Sequence, residues 1–177
     1  MTTPSIPVLT AGSGPQQSAF QAWWTTASTF LVNRVVARVT QQSSTTSIPS
    51  SGSAVVLTFD TVIEDPYSGW SASTHSWTPP AGLSGWYQIT LRAGVTGAAS
   101  NTALALQVNT SYLDYANLTC QPLAGGACPA CAVFYVYLTG AQDGVAGAAA
   151  IKNSSSSLST VTTTGLFPAM EIMWISS

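Results

Sequence analysis

Charge is what this chain has least of. Of its 177 residues, only 6% are Asp, Glu, Lys or Arg, where an average soluble protein carries about 25%. The four basic residues, Arg34, Arg38, Arg92 and Lys152, cannot form the phosphate-neutralising patch that nucleic acid requires. Histidine occurs once, as His75, which narrows general acid–base chemistry. The patterns HExxH, GxSxG, GxxxxGK and GxGxxG are all missing, and we read the chain as non-enzymatic, with no cofactor. Long apolar runs are missing too. The longest, Ala130 to Leu138, is too short for a bilayer helix, so no membrane insertion is expected. The opening MTTPSIPVLT has neither a basic n-region nor an apolar h-region, so no signal peptide is expected. A chain of this kind that leaves a cell would do so inside a particle released by lysis.

What remains is apolar or neutral. Apolar residues make up 46% of the chain, and most of the rest are Ser, Thr, Asn, Gln and Gly. A surface built from these, with net charge −2, has little electrostatic protection against association. The inference is that association is intended and that partners cover much of the surface. A secreted, neutral, Ser/Thr-rich domain is the other reading. Either way, the length fits one domain with a short appendage.

Three cysteines, Cys120, Cys128 and Cys131, make an odd count, and Cys128-Pro-Ala-Cys131 has the CxxC spacing. A zinc site needs one or two more ligands, and His75 lies far off in sequence. A redox CxxC should open a helix, but a strand pattern follows here. The residues read as reduced or incidental thiols in a loop. One disulfide, or a metal shared across subunits, are the remaining readings.

Along the chain, residues 1–14 read as an extended Pro/Gly/Thr-rich arm. From Pro15 onward, Phe20, Trp23, Trp24, Ala27, Phe30 and Leu31 recur at helical spacing, giving one broad apolar stripe. The segment is too short to stand alone as a coiled coil. It needs its own domain, symmetry mates or a docking site to pack against. After Asn33 the period changes to two, which sets a boundary between residues 1–33 and 34–177. Strands are expected over 35–40, 54–60, 74–78, 87–93, 104–108, 133–138, 145–151, 158–164 and 170–175, with Glu64 to Trp70 a loop. About eight to ten short strands broken by Gly, Pro and Ser predict an all-β antiparallel sandwich.

The order of landmarks is specific. Val55 to Asp60 leads to Asp65 and Trp70. Then come Ser76-Trp77-Thr78-Pro79, Gly85-Trp86-Tyr87-Gln88-Ile89, a long middle, and a last strand ending Glu171-Ile172-Met173-Trp174-Ile175. This resembles the C1q/tumour-necrosis-factor-like jelly roll. There an "x-F-T-x-P" strand runs into "G-x-Y-x-F/I", and the chain ends in an apolar strand at the trimer centre. It is especially similar to the phage versions, in which a short N-terminal helix precedes the domain. Trp77 stands where Phe is usual, and the segment from Cys120 to Cys131 departs from the family pattern. The resemblance covers about residues 35 to 177 and implies a jelly roll of about ten strands packed as a homotrimer.

The composition agrees with that implication. Val133 to Leu138 and Met170 to Ile175 are apolar on both faces, so one face needs a partner beyond the core. Tyr135, Tyr137, Met173 and Ile175 are the candidate trimer-interface residues. Phe20, Trp23, Trp24, Ala27 and Leu31 are the candidate anchor.

Other constellations are weaker. Asp60, Glu64 and Asp65 form a carboxylate cluster that calcium would favour, but without EF-hand spacing. Trp70, Trp77 and Trp86 would suit sugar stacking, though such tryptophans more often pack a core. The expected function is a structural protein on a phage virion surface, anchored to other virion proteins of capsid or tail. A carbohydrate- or receptor-binding module for a host-surface glycan is the alternative.

Overall fold

The computed structural model describes residues 35–50, 52–98, 102–109, 114–120, 128–140, 143–152, 157–161 and 167–176, with backbone alone at Asp114–Cys120, Cys128 and Lys152. The segment expected to form an N-terminal arm and helix, with Phe20, Trp23, Trp24, Ala27 and Leu31, lies outside the described residues.

The front sheet contains β1 (Val35–Thr40), β4 (Thr61–Glu64), β7 (Gly85–Val95), β10 (Cys128–Leu138) and β13 (Ala169–Ser176). Their order is β10-β7-β13-β1-β4, and every pairing is antiparallel. The back sheet contains β3 (Val55–Val56), β8 (Ala103–Asn109), β9 (Asp114–Cys120) and β11 (Ala146–Lys152), in the order β3-β11-β8-β9. Two short ribbons close the ends: β2 (Ser47–Ile48) with β12 (Leu158–Ser159), and β5 (Trp70–Ser71) with β6 (Ser76–Trp77). The described residues contain no helix, and so none that is long and apolar enough to cross a membrane. The expected all-β antiparallel sandwich is present.

Period-two patterning decides which side chains the sheets enclose. In β7, Tyr87, Ile89, Leu91 and Ala93 point inward and are buried, while Trp86 and Arg92 are exposed. In β10, Phe134, Val136 and Leu138 are buried between exposed Val133, Tyr135 and Tyr137. β8 is buried along most of its length, with Leu104, Leu106 and Val108 fully enclosed. The sheets approach closely at one glycine. A Cβ on Gly147 of β11 would lie 2.7 Å from Leu91 Cδ1 and 3.2 Å from Phe59 Cε2. Only a hydrogen there lets both side chains fill the gap between the layers.

Several expectations need correction. The strand over 54–60 is shorter, since only Val55–Val56 pairs in the ladder. Leu57 and Phe59 still turn inward and are fully buried. The chain then re-enters the front sheet as β4, beginning ahead of the expected Glu64 loop and taking Glu64 into the sheet. The strand over 74–78 shortens to Ser76–Trp77, and β9 had no counterpart in the sequence reading. Cys128 and Cys131 lie in β10, not in a loop. Val133 to Leu138 buries Phe134, Val136 and Leu138 in the core, and its outward side chains are exposed.

A buried polar network ties the β1–β4 turn to the sheet end. Gln41, fully buried, donates to Thr46 Oγ1 at 2.8 Å and to Thr58 O at 3.1 Å, and its Oε1 accepts from Thr160 Oγ1 at 2.7 Å. Such a network holds the turn because leaving any member unpaired in the core is costly.

Candidate functional site

The residues weighed as metal or sugar sites are dispersed. Asp60 accepts from the backbone N–H of Gln42 at 2.8 Å and of Ser43 at 2.9 Å, and from that of Ser44. Partial burial opposes its ionisation, but these N–H groups, Gln42 first, overcome it and hold the carboxyl well below the usual range. Asp65 caps its own turn, accepting from Gly69 N at 3.0 Å and Trp70 N at 2.9 Å. Glu64 sits on β4 opposite Arg38. The three carboxylates therefore do not converge on a shared point. Among the described residues no group of three or more His, Cys, Asp or Glu side chains is placed to hold a metal.

His75 Nδ1 lies 3.0 Å from the carbonyl oxygen of Phe59, so its N–H donates to the backbone in a structural role. Cys131 is a free, exposed thiol. The tryptophans share no platform. Trp77 is fully buried and packs on Tyr87 with centroids 5.6 Å apart, while Trp70 makes an edge contact with Phe59. Tyr87 donates to Leu83 O. Burial, with a smaller contribution from Tyr67, pushes its phenol above the usual range. It stays protonated and carries no acid–base role near neutral pH.

One surface stands apart: the outward face of the front sheet. Tyr135 is 59% exposed, Tyr137 50%, and both Trp86 and Val133 47%. Registry brings them together. Tyr137 lies opposite Trp86, and Tyr135 opposite Gln88, whose other neighbour is Met173. Trp86 and Tyr137 meet edge to face at 5.6 Å and 71°. Tyr135 Oη donates to Gln88 Oε1 at 3.2 Å. Met173 is partly exposed in the same row, and Ile175 is exposed beside the bulge that ends β13. The sequence reading named Tyr135, Tyr137, Met173 and Ile175 for this surface. It missed Trp86 and Val133, although Trp86 is two residues before Gln88 and so shares its face.

The other end of the same face is polar. Arg38 forks onto one oxygen of Glu171, with Nε at 2.7 Å and Nη2 at 2.6 Å from Oε2. Arg92 lies over the ring of Phe167, 5.1 Å from its centroid, and has no carboxylate partner among the described residues. A groove of about 330 Å³ runs between these arginines over Thr40, Thr90 and Met170.

No family model matches the sequence, and no curated protein matches it significantly. Solved structures do match in fold. The chain is similar to the vertex protein P5 of PRD1, a phage, at TM-score 0.57 and 16% identity, covering 81% of this chain and 98% of that one. It is similar to the globular domain of zebrafish complement 1qA protein at TM-score 0.51 and 12% identity, covering 78% and 95%. It is also similar to murine APRIL at TM-score 0.50 and 12% identity, covering 78% and 98%. The likeness is one of fold: an antiparallel all-β sandwich similar to the jelly rolls of these domains.

Proposed function

We propose that this chain is a non-enzymatic structural protein of a phage virion surface. It assembles as a homotrimer and is anchored through residues 1–33 to capsid or tail proteins. There it stabilises the particle or contacts the host surface. The reading rests on one observation: the half-exposed aromatic and aliphatic face of the front sheet, in a chain with net charge −2. Soluble monomers rarely leave a contiguous apolar patch open, and so little charge does not keep copies apart. The fold it shares with a vertex protein supports the particle assignment. Three tethers in one assembly would multiply a weak anchor by avidity.

Light scattering on the purified chain tests the oligomer, with three subunits per particle expected. A form lacking residues 1–33 should remain a soluble trimer and no longer co-purify with particles. Attachment of that truncated form would overturn the anchor.

A second reading, glycan binding, has a narrower basis. Among the described residues, Trp86 and Tyr137 form an exposed aromatic pair, while Trp77 is enclosed. Saturable binding on a glycan array, abolished by Trp86→Ala while the trimer persists, would favour it.

A further inference from the structure

The described residues hold two exposed apolar features, not one. Besides the sheet face, Val62 and Ile63 of β4 are exposed, at 47% and 52%. Among the described residues β4 ends the front sheet, so its outer edge presents backbone groups that no described strand pairs, as well as these side chains. An open apolar edge is a site for association unless something covers it.

Charge distinguishes the face from the edge. Of the six acidic residues, Glu171 is paired with Arg38, Asp60 and Asp65 are held by backbone N–H groups, and Asp143 accepts from the Thr139 hydroxyl at 2.7 Å. The side chain of Asp114 is not described. Glu64, on the β4 edge, has no ion-pair partner among the described residues. Arg92, on the face, has none either. Three strand intervals separate β4 from β7 in the sheet. At about 4.8 Å each, that is roughly 14 Å, too far for the two groups to meet within one chain.

Resting on the homotrimer reading above, we propose that Arg92 on the face of one subunit pairs with Glu64 on the β4 edge of the next. Val62 and Ile63 then cover part of the neighbour's apolar face. A face-to-edge contact is heterologous, and it closes into a three-membered ring when each step turns the next subunit by a third of a circle. The pair sets which edge docks on which face, because a buried Arg92 without a carboxylate would be left uncompensated.

The test is charge reversal in the full-length protein, read by sedimentation equilibrium. Arg92→Glu and Glu64→Arg should each raise the trimer dissociation constant about tenfold or more, and the double reversal should recover most of that loss. Glu64→Gln, a smaller change, should weaken assembly by a few-fold. Circular dichroism and melting of each variant show whether the fold is kept. If the wild type is trimeric and either reversal leaves assembly unchanged, the pairing is wrong and the trimer stands. A double reversal no better than the worse single variant has the same meaning. If the wild type is monomeric at every concentration, the pairing falls together with the trimer.

Discussion

Trp86 and Tyr137 face each other directly across β7 and β10, edge to ring, on a surface left open by the described chain. A T-shaped aromatic pair has favourable geometry without any partner. The pair is therefore ordered before association, and little side-chain entropy is lost when a second subunit covers it.

Trp86→Ala is expected to weaken subunit association by about 2 kcal/mol, roughly thirtyfold, in line with losing a large aromatic anchor at an interface. Monomer stability should change by well under that amount, since the ring is half outside the core. Analytical ultracentrifugation together with urea unfolding of the monomer separates the two effects. Equal losses in both would place Trp86 in the fold and not in the contact.

Gly147→Ala should destabilise the domain by about 1–3 kcal/mol, the usual cost of overpacking a core. The added carbon would press on Leu91 Cδ1 and the Phe59 ring. Shortening the neighbour tests the cause: Leu91→Ala should cost less in the Gly147→Ala background than alone. Thermal unfolding of the four chains gives the coupling.

Gln41→Leu should cost about 2–4 kcal/mol, because Thr46, Thr58 and Thr160 hydroxyls lose their shared partner inside the protein. Denaturant unfolding measures the loss. Amide exchange near Thr46 and Thr160 should quicken more than exchange in β7, because the network binds that turn and not the sheet centre.

Asp60 makes stability depend on pH in a defined direction. Its folded pKa is depressed below the ordinary carboxylate value, so its contribution is complete above about pH 4 and is lost as the pH falls below it. Asp60→Ala should therefore cost about 1 kcal/mol at pH 7, discounted for exposure to solvent, and progressively less below pH 4. Urea unfolding at pH 7, 4 and 2.5 follows the convergence. A constant difference across that range would remove Asp60 as the source.

Legibility in the sequence followed local regularity. Tyr87, Ile89, Leu91 and Ala93 alternate with polar residues, and their strand and inward face were evident. The stretch Val133 to Leu138 announced a strand but not its environment. Apolar residues on both faces fit two sheets of one chain as well as they fit two subunits, and only the packing shows that Phe134 turns in while Tyr135 turns out. Glu64, the last residue of β4, reads as the start of a loop because Glu64-Asp65-Pro66 looks like a turn. Its pairing with β1 depends on a register across a bulge. Cys128 and Cys131 read as thiols in a loop, yet they lie in β10, an edge strand among the described residues, where Pro129 is tolerated.

The sequence by itself determined the all-β class, the inward rows of the long strands and the low charge that favours association, because these follow from composition and a two-residue period. Only the tertiary structure decided which apolar side chains remain outside, that Trp77 is enclosed while Trp86 is exposed, and that Glu64 and Arg92 lie on separate parts of one sheet, neither with an ion-pair partner among the described residues. Those outcomes depend on register between strands far apart in the chain. No local signal carries that register.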